Sequence, residues 1–211
     1  MTQSAGNSAG RGVPEAGERL AAQERRLRLL VAHLAGRAVR ARVELDDLVQ
    51  EVFLRTLASP RGLPAAEPGE GPLWRVLAQL ARQTVIDAAR ALRAARRDGR
   101  EERLARSDWS RAGVARTPRT QAPGPHTAAA ERETSRAMAQ AFLALAPEHQ
   151  RVLGLRQFEG LSAEESGRRM GRSASAVHSL YRRALEAWQE GLTRKGIARD
   201  ESAPFLRPGA P

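Results

Sequence analysis

Residues 161–188 read LSAEESGRRMGRSASAVHSLYRRALEAW. Ser162 and Glu165 have capping-box spacing, each able to satisfy the other's backbone amide at a helix start. A short helix then reaches Met170, and Gly171 supplies the left-handed turn that reverses the chain. Ser173 caps a longer helix. At 100° per residue, Val177, Leu180, Tyr181, Ala184 and Trp188 share one side of that helix. Ser175, His178, Ser179, Arg182, Arg183 and Glu186 share the other. A short helix, a glycine turn and a longer helix exposing Ser, His and Arg has the layout of a DNA-reading helix-turn-helix. The hydroxyls of Ser175 and Ser179 permit close approach, and Arg182 and Arg183 can reach phosphates or guanine edges. The other reading is an ordinary helical hairpin with a solvated polar face.

Two more helices precede this motif. Ala137, Ala141, Phe142 and Leu145 line one that stops at Pro147. Val152, Leu153, Leu155 and Phe158 line the next, which stops at Gly160. Further back, Leu27, Leu30, Val31, Leu34 and Ala38 recur at helical spacing from Glu18 onward. A helix from about Asp46 carries Val49, Val52, Phe53 and Leu57. A Pro/Gly-rich loop, SPRGLPAAEPGEGP, separates it from a long helix over Leu73 to Arg97. No strand pattern and no internal repeat is present. The predicted fold is all-α, with two small helical domains joined by a flexible linker. The divisions are a disordered N-terminus at 1–17, a first domain at 18–100, a linker at 101–131, a second domain at 132–192 and a basic tail at 193–211. Within the linker, Trp109 is the one residue with the character to dock.

The chain has 35 Lys+Arg against 24 Asp+Glu among 211 residues, a formal net charge of +11. Such a balance points to a polyanion, with nucleic acid first. No apolar run is long enough to span a membrane, and MTQSAGNSAGRG lacks the pattern of a secretory signal. The absence of cysteine excludes disulfides and thiolate metal sites, and fits a reducing cytoplasm. His126 and His149 have no partners at metal-ligand spacing, so no metal and no cofactor is expected. His33, beside the first apolar stripe, reads as structural.

Charge is distributed unevenly. On the helix over 73–97, Leu77, Leu80, Ala81, Thr84, Ala88, Ala91, Leu92 and Ala95 share one face. Arg82, Arg90, Arg93, Arg96 and Arg97 fall on the opposite third. That arc is either a phosphate-contacting surface or a solubilising one. Trp74 reads as a core aromatic beside a loop or as a wedge at an unpaired base pair. Against this basic background, Glu44, Asp46, Asp47 and Glu51 gather at the start of one helix. Acids favour helix N-termini for local reasons, each contributing about 0.3–1 kcal/mol. Capping accounts for Asp46 or Asp47 but not for Glu51, a full turn later.

Together these segments resemble the sigma-70 family of bacterial transcription initiation factors, in its two-domain extracytoplasmic-function (ECF) type. DDLVQEVFLR (46–55) is similar to the family's core-polymerase-binding stretch. LWRVLAQLARQTVIDAARALRAARR (73–97) is similar to its strand-opening and −10-reading part. LAPEHQRVLGLRQFEGLSAEESGRRMGRSASAVHSLYRRALE (145–186) is similar to the −35-reading region. The resemblance implies a non-enzymatic subunit that docks on RNA polymerase core, at the clamp helices of the largest subunit, and on promoter DNA. Asp46, Asp47, Leu48, Gln50, Glu51 and Phe53 would make the polymerase contact. Trp74, Arg82, Gln83, Asp87, Arg90, Arg93 and Arg97 would serve −10 recognition and melting. Ser173, Ser175, His178, Ser179, Arg182 and Arg183 would serve −35 recognition. The resemblance admits an anti-sigma partner without identifying one. The chain departs from the family at Gln83, where Asn is usual, and at His178 and Leu180, where Lys and Arg are common. Ser166 and Gly167 replace an aliphatic-Ala pair. Losing a buried aliphatic there would remove about 1.5–3 kcal/mol, which predicts a less stable second domain.

Two other functions fit parts of the sequence. A stand-alone helix-turn-helix regulator would use residues 161–188 but leave the acids without a partner. A metal-dependent nuclease would use Glu44, Asp46, Asp47 and Glu51, but no His or distant carboxylate completes such a site.

Overall fold

The structure, a computed structural model, describes residues 12–59, 63, 71–97 and 125–197. Trp109 and most of the expected linker lie outside the described residues. Every regular element among the described residues is helical: α1 (Gly12–Leu34), α2 (Arg37–Arg40), α3 (Leu45–Leu57), α4 (Gly71–Arg97), α5 (Pro125–Leu143), α6 (Pro147–Leu153), α7 (Ala163–Met170) and α8 (Ala174–Arg194). A π-helical turn, Gly154–Phe158, continues α6, with the Glu159 amide donating to the Gly154 carbonyl at 2.9 Å. The all-α expectation holds.

Several boundaries differ from the reading above. α5 starts at Pro125, inside the span read as linker, because Pro is tolerated in a helix's first turn and Thr127 to Ala130 offer little resistance. α8 runs on to Arg194, and Ile197 beyond it is buried. The basic tail is therefore anchored at its start. α1 begins at Gly12, within the segment expected to be disordered.

α3 packs along α4, and α1 lies against both. Leu48, Val49 and Val52 of α3 meet Leu73, Leu77, Ala81 and Val85 of α4 in one apolar core. The C-terminal helices enclose a second concentration of apolar mass. Phe142, Phe158 and Trp188 are fully buried and meet edge to face, with ring centroids 5.5–6.3 Å apart. Such pairs contribute roughly 0.5–1.5 kcal/mol each beyond their burial. α1 also touches α5 and the π-turn, so it is a shared wall. Residues Leu27 to Ala32 are consequently buried on every side of the helix.

Candidate nucleic-acid interface

The motif at 161–188 forms as its residues dictate. The Glu165 amide donates to Ser162 Oγ at 3.1 Å, and the Ser162 amide donates to Glu165 Oε2 at 2.8 Å. Hydrogen bonding from the Ser162 amide, and then from its hydroxyl, holds the Glu165 carboxyl below the usual carboxylate range. Gly171 takes φ 65°, where an L side chain would be strained. The amides of Gly171 and Arg172 both donate to the Gly167 carbonyl. Here the departure at Gly167 acquires a reason: a Cβ at this position would stand 2.5 Å from the Arg172 carbonyl oxygen. The turn is drawn too tightly for alanine. Ser166 is a different matter. Its hydroxyl is fully buried and finds no hydrogen-bond partner among the described residues.

Ser173 caps α8, accepting from the Ala176 amide at 3.3 Å. All five apolar residues assigned to the inner side of α8 are buried. Ser173, Ser175, His178, Ser179, Arg182 and Arg183 are all exposed. Tyr181 closes the inner side, its hydroxyl donating to Gln157 at 2.6 Å. The result is a capped helix seated on the core with one exposed polar face.

α4 presents a second basic face, although a narrower one than the sequence predicts. Gln83, Arg90, Arg93, Arg96 and Arg97 are exposed. Arg82 is not on that face: its guanidinium donates to Glu159 Oε2 at 3.2 Å, in the C-terminal half. Trp74 is buried, with the Arg26 guanidinium 3.9 Å above its ring centroid, so its core reading holds. Asp87 accepts from Arg55 at 2.9 Å and lies 4.0 Å from Arg90, steadying the face rather than adding to it. Where α4 leaves α2, a groove of about 660 Å³ has Leu34, Val39, Ile86 and Leu92 in its lining and Arg42, Arg93 and Arg96 among its bordering residues.

The acidic helix α3 divides. Asp47 and Phe53 are half-buried and Gln50 is exposed. Leu48 is fully buried, and Glu51 is buried as well, accepting from Arg55 Nε at 2.9 Å. Positions 48, 51, 52 and 56 follow helical spacing onto the α4 side, and this carries Glu51 inward. Burial pulls the Arg55 pKa down, but its hydrogen bonds to Asp87 and Glu51 outweigh that and raise it. An internal ion pair thus accounts for Glu51, which helix capping could not. Asp46 is bound by Arg28 and by Arg136, whose Nε stands 2.8 Å from Oδ2. The four acids do not converge, and no group of three His, Asp or Glu among the described residues is placed to hold a metal ion.

A second set of polar residues escaped the sequence reading. Arg28 is nearly inaccessible, donating from Nε to Ser135 Oγ and from Nη2 to Glu24, each at 2.8 Å, and also to Asp46. Its i,i+4 spacing from Glu24 was the one available hint. His33 and Glu159 face each other at 3.2 Å across a sequence gap that no local pattern bridges.

A family model described as ECF sigma factor matches residues 12–193, from the first turn of α1 to the last turn of α8. The chain belongs to the ECF sigma factor family. Among curated proteins, nothing matches it. As an ECF sigma factor it is a transcription initiation factor and a DNA-binding protein, in a family whose partners are RNA polymerase core and promoter DNA. No helix among its described residues is long and apolar enough to cross a membrane.

Proposed function

We propose that this ECF sigma factor joins RNA polymerase core through the outer edge of α3 and reads promoter DNA with α4 and α8. Asp47 and Gln50 lead the polymerase contact, with Asp46 and Phe53 at its margin. Leu48 and Glu51 act from inside, fixing the helix against α4. Gln83, Arg90, Arg93 and Arg97 face the −10 region, and Trp74 and Asp87 support them. Ser173, Ser175, His178, Ser179, Arg182 and Arg183 face the −35 element. The units expected at 18–100 and 132–192 would then act as two readers on one template. Opposite charge assigns the ligands: carboxylates take a basic protein surface, guanidiniums take phosphate. The observation that carries this reading is the α8 face, where six polar residues stand exposed over a fully buried apolar side.

The test is run-off transcription with purified core polymerase on templates carrying randomised upstream sequence. Asp47→Arg is expected to abolish co-purification with core. Arg182→Ala with Arg183→Ala is expected to keep core binding and lower −35-dependent output by at least about tenfold, since a specific base contact contributes roughly 1–3 kcal/mol. A folded protein that never joins core at low ionic strength defeats the proposal. Tight, sequence-specific binding without polymerase would instead favour a stand-alone regulator.

A further inference from the structure

The six residues exposed along α8 and its cap differ in what pH does to them. Ser173, Ser175 and Ser179 carry no charge, and Arg182 and Arg183 keep theirs at every pH a cell meets. Of the six, His178 alone has the type of side chain whose charge changes between about pH 5 and 8. It is exposed on that face, with Ser175 one turn before it and Arg182 one turn after. Glu164, at the start of α7, lies within its electrostatic reach. The Glu164 carboxyl is held below the usual carboxylate range by its own backbone amide and then the Ser162 hydroxyl, with His178 and Arg156 adding to this. Glu164 is thus ionised wherever an imidazole titrates. Arg156 of the π-turn is occupied, donating to the Leu161 carbonyl at 2.6 Å and lying 5.6 Å from the Tyr181 ring centroid. On α6, Glu148 is taken by Arg172 at 2.9 Å. α5 meets α8 near its far end, at Gly191 and Lys195. The charges that bear on His178 are therefore Glu164 across the motif and Arg182 along the helix.

Given the −35 reading above, on which this rests, we propose that His178 makes base selection in the −35 element depend on pH. A neutral imidazole has one donor and one acceptor nitrogen. An imidazolium has two donors, no acceptor and a positive charge. Major-groove edges answer the two states differently. Adenine N6 and cytosine N4 donate, whereas guanine presents only acceptors, at N7 and O6. A neutral His178 can accept from an adenine or cytosine amino group. Once protonated it can only donate, and guanine or a phosphate becomes its partner. Glu164 favours the charged state and Arg182 opposes it. DNA phosphate joins the Glu164 side when α8 is seated in the groove, so protonation and binding strengthen each other by linkage. The contact is tighter and guanine-selective at low pH, weaker and open to adenine at high pH.

The test uses the full chain assembled with core polymerase, on templates randomised across the −35 element, at about pH 6 and about pH 8. His178→Gln keeps a donor and an acceptor without charge, and His178→Lys keeps a charge at both pH values. Dividing each wild-type affinity by that of His178→Gln at the same pH cancels the response of polymerase and of His33, His126 and His149. Helix content is checked by circular dichroism. The ratio is expected to be near unity at the higher pH and about fivefold at the lower, the worth of a modest base contact. His178→Lys is expected to show the gain at both. The slope of log affinity against log salt is expected to steepen by about one unit for wild type at the lower pH, for one more phosphate neutralised. One −35 position is expected to move towards guanine at the lower pH in wild type and not in His178→Gln. A ratio that ignores pH overturns the proposal, and so does a base selection that ignores it. If Arg182→Ala with Arg183→Ala removes −35 dependence while wild type and His178→Gln respond to pH alike, the −35 reading stands and the pH proposal fails. If no α8 variant alters −35 dependence at either pH, both fail.

Discussion

In α8, buried Val177, Leu180, Tyr181, Ala184 and Trp188 alternate with exposed Ser175, His178, Ser179, Arg182 and Arg183 at helical period. In α1, Leu27 to Ala32 are buried without alternation, and Arg28 is among them. One helix has a single neighbouring surface and the other has two. Hydrophobic periodicity reports how many sides of a helix meet apolar partners, and it assumes that polar sides meet water. α1 breaks the assumption because its Arg28 meets Ser135 of α5, Asp46 of α3 and Glu24 of its own helix instead. The same kind of side chain, arginine, is thus exposed on α8 and a structural bolt on α1.

The sharpest way to break this contrast is to truncate one arginine from each helix. Burial lowers the Arg28 pKa, with Glu24 opposing, so its charge is held at a desolvation penalty. Arg28→Ala removes that charge, leaves Ser135 unpartnered by it, and opens space between α1, α3 and α5. The expected loss of stability is about 3–5 kcal/mol, as for breaking a buried pair. Arg182→Ala should change stability by no more than about 0.5 kcal/mol. Urea unfolding of both variants measures the difference. A loss below about 1 kcal/mol at Arg28 would mean that α1 has one wet side after all.

A second test uses acid. Glu159 joins the two halves through His33, Arg82 and Arg169. The His33 hydrogen bond, followed by that of Arg82, outweighs burial and depresses the Glu159 carboxyl to about 2. In the unfolded chain it returns to its ordinary value near 4.5. A depressed carboxyl stabilises the fold fully above the unfolded value, and the contribution is lost as pH falls through the folded one. Stability from this residue should therefore be level above about pH 4.5 and decline towards pH 2, by roughly 2–3 kcal/mol. Glu159→Gln should flatten that decline while leaving α8 exposed as before. An acid limb unchanged by Glu159→Gln would place the sensitive carboxylate elsewhere.

What the sequence disclosed follows the same division. The caps at Ser162 and Ser173, the turn at Gly171 and both faces of α8 are local: each depends on residues within a few positions. Four of the five arginines assigned to one arc of α4, Arg90, Arg93, Arg96 and Arg97, are exposed and were legible for the same reason. Leu48 and Glu51 were misplaced because the side of α3 that α4 covers cannot be read from acids alone. Arg82 was misplaced because its partner, Glu159, lies far along the chain and belongs to no local pattern; His33 was read as structural, and only its pairing with Glu159 was hidden, for the same reason. Loop composition hid the start of α5, since proline marks a first helical turn as readily as a linker.

Gly167 offers a test inside the well-read region. Alanine is the residue the family resemblance would put there, and alanine ordinarily favours a helix over glycine by about 1 kcal/mol. The Arg172 carbonyl opposes it here, at 2.5 Å from where the Cβ would go. That contact is with backbone, which cannot swing aside as a side chain would. Gly167→Ala is therefore expected to destabilise the C-terminal helices by about 1–3 kcal/mol, by overpacking. Thermal unfolding followed by circular dichroism measures it, and a gain in stability would show that the turn relaxes freely.

The smallest effect is expected beside it, with the opposite sign. A buried aliphatic at position 166 would add stability, and a serine in its place forgoes that. The structure adds a second penalty, because the Ser166 hydroxyl is enclosed with no partner among the described residues. An unpaired buried hydroxyl costs roughly 1–3 kcal/mol by mutational measures, while deleting one oxygen atom leaves little void. Ser166→Ala removes the penalty, and alanine is also the better helix former. A gain of about 1 kcal/mol is expected in chemical unfolding, with −35-dependent transcription unchanged because position 166 lies on the buried side of α7. The two neighbours would then separate cleanly: alanine harmful at 167, where the backbone is close, and helpful at 166, where only a hydroxyl is stranded. A loss of stability at 166 would mean that the hydroxyl is satisfied in solution, and that the motif's polar interior is as deliberately paired as Arg28 is in α1.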